Sequence, residues 1–531
     1  ASHVPAETQQ AKLLEIVGRN AESEYGRQHN FSSIKSIADF QAAVPVNKYE
    51  DLQPYISRVA DGAQSVLTKE QPFMFATTSG TTGARKMIPV TRSYLKEFRK
   101  ASVVSGFFQI KNHPALAEGV IFSVFSSAEE GRTKAGIPYG AISGRLYLEE
   151  PKLIKKYISP IPYEAFLIDD YESRYYTLLR CGLVLPVSVF YTLNPSTIMI
   201  LVRRLKTYGP QLIKDIADGT ITAPQPLPDH IREAVKPLLA RDGARAAELQ
   251  RLFDTGRFTP PNIWKQLAVI SCWTKASASF YLSDLHDSFG SLPVTDITYG
   301  ASEGRGTVAL SENEQMLAIR SHFFEFIPEN DPQHRPLTAT ELEQGESYSI
   351  LFTTSAGLYR YDINDIVKVT AWHNRTPVLE FMHKKGNVSS FTGEKVTESQ
   401  VTESVSRAAA RLNLKIRFFT VVPEFRPEPH YQLWFELIEL IDDAASADQL
   451  GRLFDEELCA ANSEYETKRQ SRRLTEVVSQ SLPAGSYESL RKTLVASGVP
   501  DAQVKVSHLN PKDEIKQLLR EQTLIATRER S

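Results

Sequence analysis

The rhythm of apolar and polar positions changes twice along this chain. From about residue 7 to 60, apolar residues recur at helical spacing between short polar turns, as in "QQAKLLEIVGRNAESEYG", which predicts a run of helices. "SYLKEFRKASVVSGFFQI" predicts another helix, with Thr91 or Ser93 as its cap. "GVIFSVFSS" is then an unbroken apolar run between Gly and Ser, the pattern of a strand buried on both faces. "GLVLPVSVFYTLNPSTIMILVRRLKTYG" repeats it as strand, Asn-Pro turn and helix, and "QLAVISCW", "YLSDLHDSF" and "PVTDITYGASEG" extend the alternation. Strands alternating with helices predict an α/β domain with a largely parallel sheet.

From about residue 305 the period shortens. "TVALSENEQMLAI", "HFFEFIPE", "YSILFTTSAGLYRYDINDIVKVTAW" and "PVLEFMHKK" read as strands joined by polar turns. "HKKGNVSSFTGEK" is polar and glycine-bearing, a candidate linker. Beyond it, "TESQVTESVSRAAARL", "ADQLGRLFDEELCAANSEY", "SYESLRKTLVAS" and "PKDEIKQLLREQ" predict helices, and "KIRFFTVVPE", "YQLWFELIEL" and "AQVKVSHL" predict strands. The predicted layout is a large α/β domain over 1–383 with parallel sheets and a β-rich subdomain from about 305 to 383. A hinge at 384–390 and a small α+β domain over 391–531 complete it.

Composition narrows the class more than the chemistry. The 61 Lys and Arg nearly cancel 63 Asp and Glu, so nothing global attracts nucleic acid or an anionic membrane, and any anion site must be local. Cys181, Cys272 and Cys459 lie far apart, without metal-ligand spacing, and so sparse a count predicts a reducing, cytoplasmic setting. No apolar run approaches the ~18 residues of a membrane span, and the first residues lack the basic and apolar regions of a signal peptide.

Four stretches carry candidate chemistry. In "FATTSGTTGARKMIPVT", Ser79, Gly80, Thr81, Thr82 and Gly83 lead to Lys86. Hydroxyls and glycine amides can wrap an anion and a lysine adds charge, although the spacing is not that of a Walker loop. A solvated hairpin turn and an anion loop both fit these residues. "ITYGASEG" contains Gly300-Ala301-Ser302-Glu303-Gly304, a literal nucleophile-elbow pattern. The segment that follows reads as strand rather than the helix an elbow needs, which disfavours a hydrolase. Tyr299 offers a flat face and Glu303 a hard oxygen for Mg²⁺, or Glu303 is a surface residue at a strand-to-turn junction. "GLYRYDINDIVKV" reads as a strand with Asp362 and Asp365 at its turn, or as a site where Asp365 accepts hydrogen bonds from a ribose diol. Lys505 stands alone in "AQVKVSHL", and Lys468, Arg469, Arg472 and Arg473 read as a solvated helix face.

In this order the segments resemble the adenylate-forming superfamily, and more closely the Gretchen Hagen-type acyl-acid amido synthetases, which conjugate auxin and jasmonate. The resemblance runs from about residue 40 to 515 and is carried by "TTSGTTGARKMIP", "TYGASEG", "AGLYRYDINDIVKV", "LEFMHKKGNVSSFTGEKVTES", "AANSEYETKRQ" and "AQVKVSHL". It implies an adenylation domain followed by a small lid domain, and a two-step reaction. ATP and a small carboxylic acid give an acyl adenylate and pyrophosphate, and an amino acid or other amine then displaces AMP. By resemblance Ser79, Gly80, Thr81, Thr82, Gly83 and Lys86 hold the phosphates, Glu303 holds Mg²⁺, and Tyr299, Gly300, Ala301 and Ser302 border the adenine. Asp365 takes the ribose, Lys505, with Thr82 and Glu303, acts on the transferring group, and rotation about His383 to Gly386 then serves the second step. Two departures stand out: Asp362 where the family carries Arg, and Asn364 where it carries Gly. "SSAEEGRTKAGIPYGAISGRLY" replaces the family's own stretch, so the acyl pocket is not carried over. An acyl-CoA or other thioester-forming ligase, and a non-catalytic nucleotide-binding descendant, are the alternatives.

Overall fold

In the computed structural model, the apolar run Val120–Ser123 is the first of four parallel strands, followed in spatial order by Val187–Tyr191, Val269–Cys272 and Val294–Asp296. The structure describes the chain apart from residues 79–85, 313, 386–387, 390–395, 425–427, 439–443, 471–473, 498, 500–503 and 530–531. Helices Tyr171–Gly182, Pro195–Asp218 and Leu282–Phe289 lie in the connections between those strands. Their apolar residues share one core with Phe122, Phe190 and Ile270, which is why the strands read as apolar runs rather than alternating ones.

A second sheet pairs Met74–Thr78 antiparallel to Lys86–Val90, ending at Thr78 opposite Lys86. Pro138–Gly140 lies parallel to the first of these strands. Part of the stretch that departs from the family pattern is therefore built onto the strand leading to the Ser/Thr/Gly loop. The helix Arg92–Asn112 starts at Thr91, whose hydroxyl accepts from the Tyr94 amide at 3.2 Å. The β-rich region forms a six-stranded sheet in the order Thr307–Ala309, Gln315–Leu317, Thr376–Lys384, Tyr361–His373, Ser347–Thr353, Phe323–Pro328.

The chain divides into two compact units. The first comprises Ala1–Thr78, Arg85–Ile363 and Val367–Glu380; the second includes Asn364–Ile366 and Phe381–Ser531. In the expected linker, Val388–Ser389 pairs with Val396–Thr397. The second unit centres on His430–Leu437, buried along its whole length, antiparallel to Ile416–Glu424 and parallel to Val478–Leu482. Helix Glu398–Arg411 opens with a capping box between Thr397 and Gln400.

Three sequence expectations need correction here. Val504–Ser507 is not a strand. The His508 amide donates to the buried Glu398 carboxylate at 2.5 Å and Ser507 Oγ to the same oxygen at 2.9 Å, and among the described residues pairing with Ile416–Glu424 is one bridge, Val421 to Leu509. Arg469 does not belong to a solvated face: Asp455 takes its Nε and Nη2 at 2.8 and 2.6 Å. Asp362 and Asp365 lie within the long strand Tyr361–His373, not at its turn.

Candidate functional site

Gly300–Ala301 and Gly304–Arg305 pair antiparallel, leaving Ser302 and Glu303 as a two-residue hairpin turn. The next element is the strand Thr307–Ala309, so the GASEG sequence is not a nucleophile elbow. Its last glycine answers to packing instead. A Cβ on Gly304 would stand 2.6 Å from the Phe352 ring, and one on the following Gly306 would stand 2.3 Å from Tyr299 Cδ1. Gly306 and Thr307 both donate to the Tyr299 carbonyl, at 2.9 and 3.1 Å.

Glu303 is not a surface residue; it is 7% exposed. Tyr49, Tyr94 and Tyr361 are all held above the ordinary tyrosine range, first by burial and then, among other charges, by the Glu303 carboxylate. The Tyr94 hydroxyl donates to the Ser302 carbonyl at 2.8 Å, fixing the turn. Lys86 lies with its Nζ 5.1 Å from the Tyr49 ring centroid, and the Tyr49 hydroxyl accepts from the Met87 amide at 2.9 Å. Tyr49 thus has the Lys86 cation over its ring and the Glu303 anion in its electrostatic surroundings.

Behind the hairpin, His322 accepts from the Arg305 amide through Nε2 at 3.2 Å, which assigns the ring proton to Nδ1. Nδ1 faces Glu97 Oε2 at 3.9 Å. The other Glu97 oxygen takes Lys12 Nζ at 3.1 Å and Ser355 Oγ at 2.6 Å. Burial, with Lys12 and Arg305 nearby, pushes His322 down to about 3, so the ring is neutral. Burial raises Glu97.

The predicted residues fall into three groups. Ser79, Gly80, Thr81, Thr82 and Gly83 lie outside the described residues. Lys86, Tyr299, Gly300, Ala301, Ser302 and Glu303 belong to the first unit, with the last five on or beside the hairpin. Asp365 and Lys505 belong to the second. Asp365 is buried and accepts from Lys384 Nζ at 2.5 Å. Asn364 adopts φ 62°, a left-handed conformation that asparagine tolerates better than most residues, and its carbonyl accepts from the Lys385 amide at 2.6 Å. Asp362 accepts from Ser349 Oγ at 3.1 Å. Lys505 is exposed. Tyr49, Tyr94, Tyr361, Arg305 and His322 carried no local signal, because separate elements deliver them. Among the described residues no group of three or more His, Cys, Asp or Glu is placed to hold a metal ion. A single carboxylate is what a Mg²⁺ bound chiefly through phosphate oxygens and waters requires.

Models of three domains match in succession: the GH3 family N-terminal domain over residues 1–294, the central domain over 315–384 and the C-terminal domain over 399–514. The chain is 28% identical over 536 residues to the indole-3-acetic acid-amido synthetase GH3.8 of Oryza sativa subsp. indica, covering 94% of this chain and 87% of that one. It is 28% identical over 459 residues to the jasmonoyl--L-amino acid synthetase JAR6 of Nicotiana attenuata, covering 81% and 78%. The solved structure of the GH3.15 acyl acid amido synthetase superposes with a TM-score of 0.88 at 20% identity, over 98% of this chain and 94% of that one. That likeness establishes the mixed α/β fold.

Proposed function

Because the chain belongs to the GH3 family, we infer that it is an ATP-dependent acyl-acid amido synthetase. It activates a carboxylic acid as an acyl adenylate, releasing pyrophosphate, and passes the acyl group to the amine of an amino acid as an amide. The supporting observation is Tyr49, which has the Lys86 ammonium 5.1 Å from its ring centroid and lies within the electrostatic influence of the buried Glu303 carboxylate on the hairpin. Carboxylate attack on an α-phosphate must overcome like-charge repulsion, so what the protein contributes is positioning and charge.

In this reading Ser79, Gly80, Thr81, Thr82, Gly83 and Lys86 grip the β- and γ-phosphates. Tyr299, Gly300, Ala301 and Ser302 border the adenine, and Asp365 accepts from the ribose. Glu303 would hold Mg²⁺, which when bound neutralises phosphate charge. Lys505, with Thr82, steadies the transferring group, and the small domain turns about the segment near His383 between the two steps. The setting is the cytoplasm; no helix among the described residues is long and apolar enough to cross a membrane. Indole-3-acetate and jasmonate, for which relatives are named, are the first acids to try.

The test is pyrophosphate release from Mg-ATP over an acid-by-amine matrix, with product masses. Acid-dependent release that consumes an amino acid supports the assignment. Consumption of coenzyme A instead would make the protein a thioester ligase, and no release with any acid would leave it a nucleotide-binding protein. Glu303→Gln should abolish acid-dependent release.

A further inference from the structure

Among the described residues the Arg305 guanidinium has no counter-ion. It pairs with Gly300 across the hairpin, where a Cβ would stand 3.2 Å from Arg305 Cδ and 3.5 Å from Nη1. Glycine at 300 therefore leaves the side chain room to cross the hairpin. The guanidinium carbon lies 4.5 Å from the Phe98 ring centroid. Nη2 donates to Ser102 Oγ at 3.2 Å, and Nη1 to Thr298 Oγ1 and, at 3.4 Å, to the Thr298 carbonyl. The Tyr191 hydroxyl is within hydrogen-bonding reach. Nε is buried and has no acceptor. Each of these partners is neutral, and among the described residues no carboxylate pairs with Arg305.

Other arginines in the interior are completed differently. Arg360 takes both oxygens of Glu325 at 3.0 Å, and Arg180 spends its donors on the carbonyls of Thr220, Leu238 and Asp215. Withdrawing a guanidinium from water without a counter-charge is costly, so Arg305 has the character of half a pair. Its position suits a ligand. Tyr191 ends the second strand of the parallel sheet, at the carboxyl edge where open α/β sheets take ligands. Tyr94 feels the charges of both Glu303 and Arg305, so an anion at Arg305 would stand near the carboxylate assigned to Mg²⁺.

We propose that Arg305 receives the carboxylate of the acid substrate, with Ser102, Thr298 and Tyr191 orienting the guanidinium and Phe98 as its apolar floor. The proposal rests on the amido-synthetase reading and names the residue that orients the nucleophile. A guanidinium fixes a carboxylate through charge-assisted hydrogen bonds and offsets its repulsion from the phosphates.

The test is equilibrium binding of a panel of aromatic and aliphatic monocarboxylates, indole-3-acetate included, each beside its uncharged primary amide. The protein is the full chain with Mg²⁺ and a non-hydrolysable ATP analogue. At least one acid should outbind its amide by about tenfold or more. Arg305→Met should remove that preference while nucleotide affinity stays within about twofold, and Arg305→Lys should keep part of it. If Arg305→Met does not fold, Arg305→Gln makes the same comparison. A preference that survives the substitution, a parallel loss of nucleotide affinity, or no acid that outbinds its amide would each overturn the proposal. Pyrophosphate release by the same protein preparations, with Mg-ATP in place of the analogue, separates the two readings. Acid preference lost with Arg305 but no release upholds the carboxylate site and sinks the synthetase, whereas release indifferent to Arg305→Met does the reverse.

Discussion

The Tyr94 hydroxyl donates to the Ser302 carbonyl at 2.8 Å across 208 positions of sequence. The bond ties the first turn of the helix Arg92–Asn112 to the hairpin that presents Glu303. Because Tyr94 is fully buried, Tyr94→Phe leaves that carbonyl without its donor in a dry setting. The expected cost is about 1 kcal/mol of stability. The turn also loosens, so turnover should fall more than the apparent affinity for ATP. Urea unfolding and steady-state pyrophosphate release read the two effects, and a variant with lower stability but unchanged turnover would remove the bond from the site.

Gly304 and Gly306 separate packing from function. A Cβ at Gly304 meets the buried Phe352 ring at 2.6 Å; one at Gly306 meets the Tyr299 ring at 2.3 Å. Phe352 is core and has nowhere to go, so Gly304→Ala should lose about 1–3 kcal/mol. Tyr299 is only half-buried and can swing aside, so Gly306→Ala should unfold at nearly the original urea concentration. It should instead raise the KM for ATP, since the displaced ring is the one assigned to the adenine. Equal KM changes in the two variants would take Tyr299 out of the nucleotide site.

Which parts were legible in the sequence follows from how local their causes are. Val120–Ser123 and Val187–Tyr191 were readable because a strand covered on both faces needs apolar residues throughout. The cap, read as Thr91 or Ser93 and formed by Thr91, was readable because capping acts over three residues. Lys505's segment was misread as a strand because the deciding partner, Glu398, lies 110 positions from the His508 amide it captures. The strand Val478–Leu482 went unrecognised because "VSQSL" has few apolar residues and owes its state to pairing with His430–Leu437. Tyr49, Tyr94, His322 and Arg305 follow the same rule, since their significance arises only where the chain brings distant elements onto one hairpin.

Arg360, held at φ 47°, binds Glu325 through Nε and Nη2 and donates to the carbonyls of Gln41 and Val44 at 3.0 and 2.6 Å. Both charged side chains are nearly inaccessible, at 5% and 1% exposure. Removing one partner strands the other as a buried charge, so Arg360→Met should cost about 3–5 kcal/mol. Arg360→Met combined with Glu325→Leu should cost less than the first change alone, because neither charge remains. A urea-based double-mutant cycle checks this, and strict additivity would contradict the pairing.

His322 should give the fold a specific acid sensitivity. The buried ring is pushed down to about 3, by burial first and then by Lys12 and Arg305, from an ordinary value of 6.5. With the folded value below the unfolded one, the unfolded chain takes the proton first as pH falls. The stability from a neutral His322 is therefore full above about 6.5 and drains toward pH 3, by up to about 1.4 kcal/mol per pH unit. Glu97, facing Nδ1, works against this trend. Burial raises its carboxyl, so the folded protein takes up that proton before the unfolded chain does and regains some stability at low pH. The cations beside the ring are Lys12 and Arg305, and Tyr94, held above its ordinary value by burial, stays neutral. His322→Gln keeps an acceptor for the Arg305 amide but cannot titrate. The stability difference between wild type and His322→Gln should therefore shrink steadily from pH 7 to pH 4 in urea titrations at half-unit steps. A difference that stays constant over that range would mean His322 titrates in the fold as it does in the unfolded chain, and the neutral, Nδ1-protonated ring assigned here would be wrong.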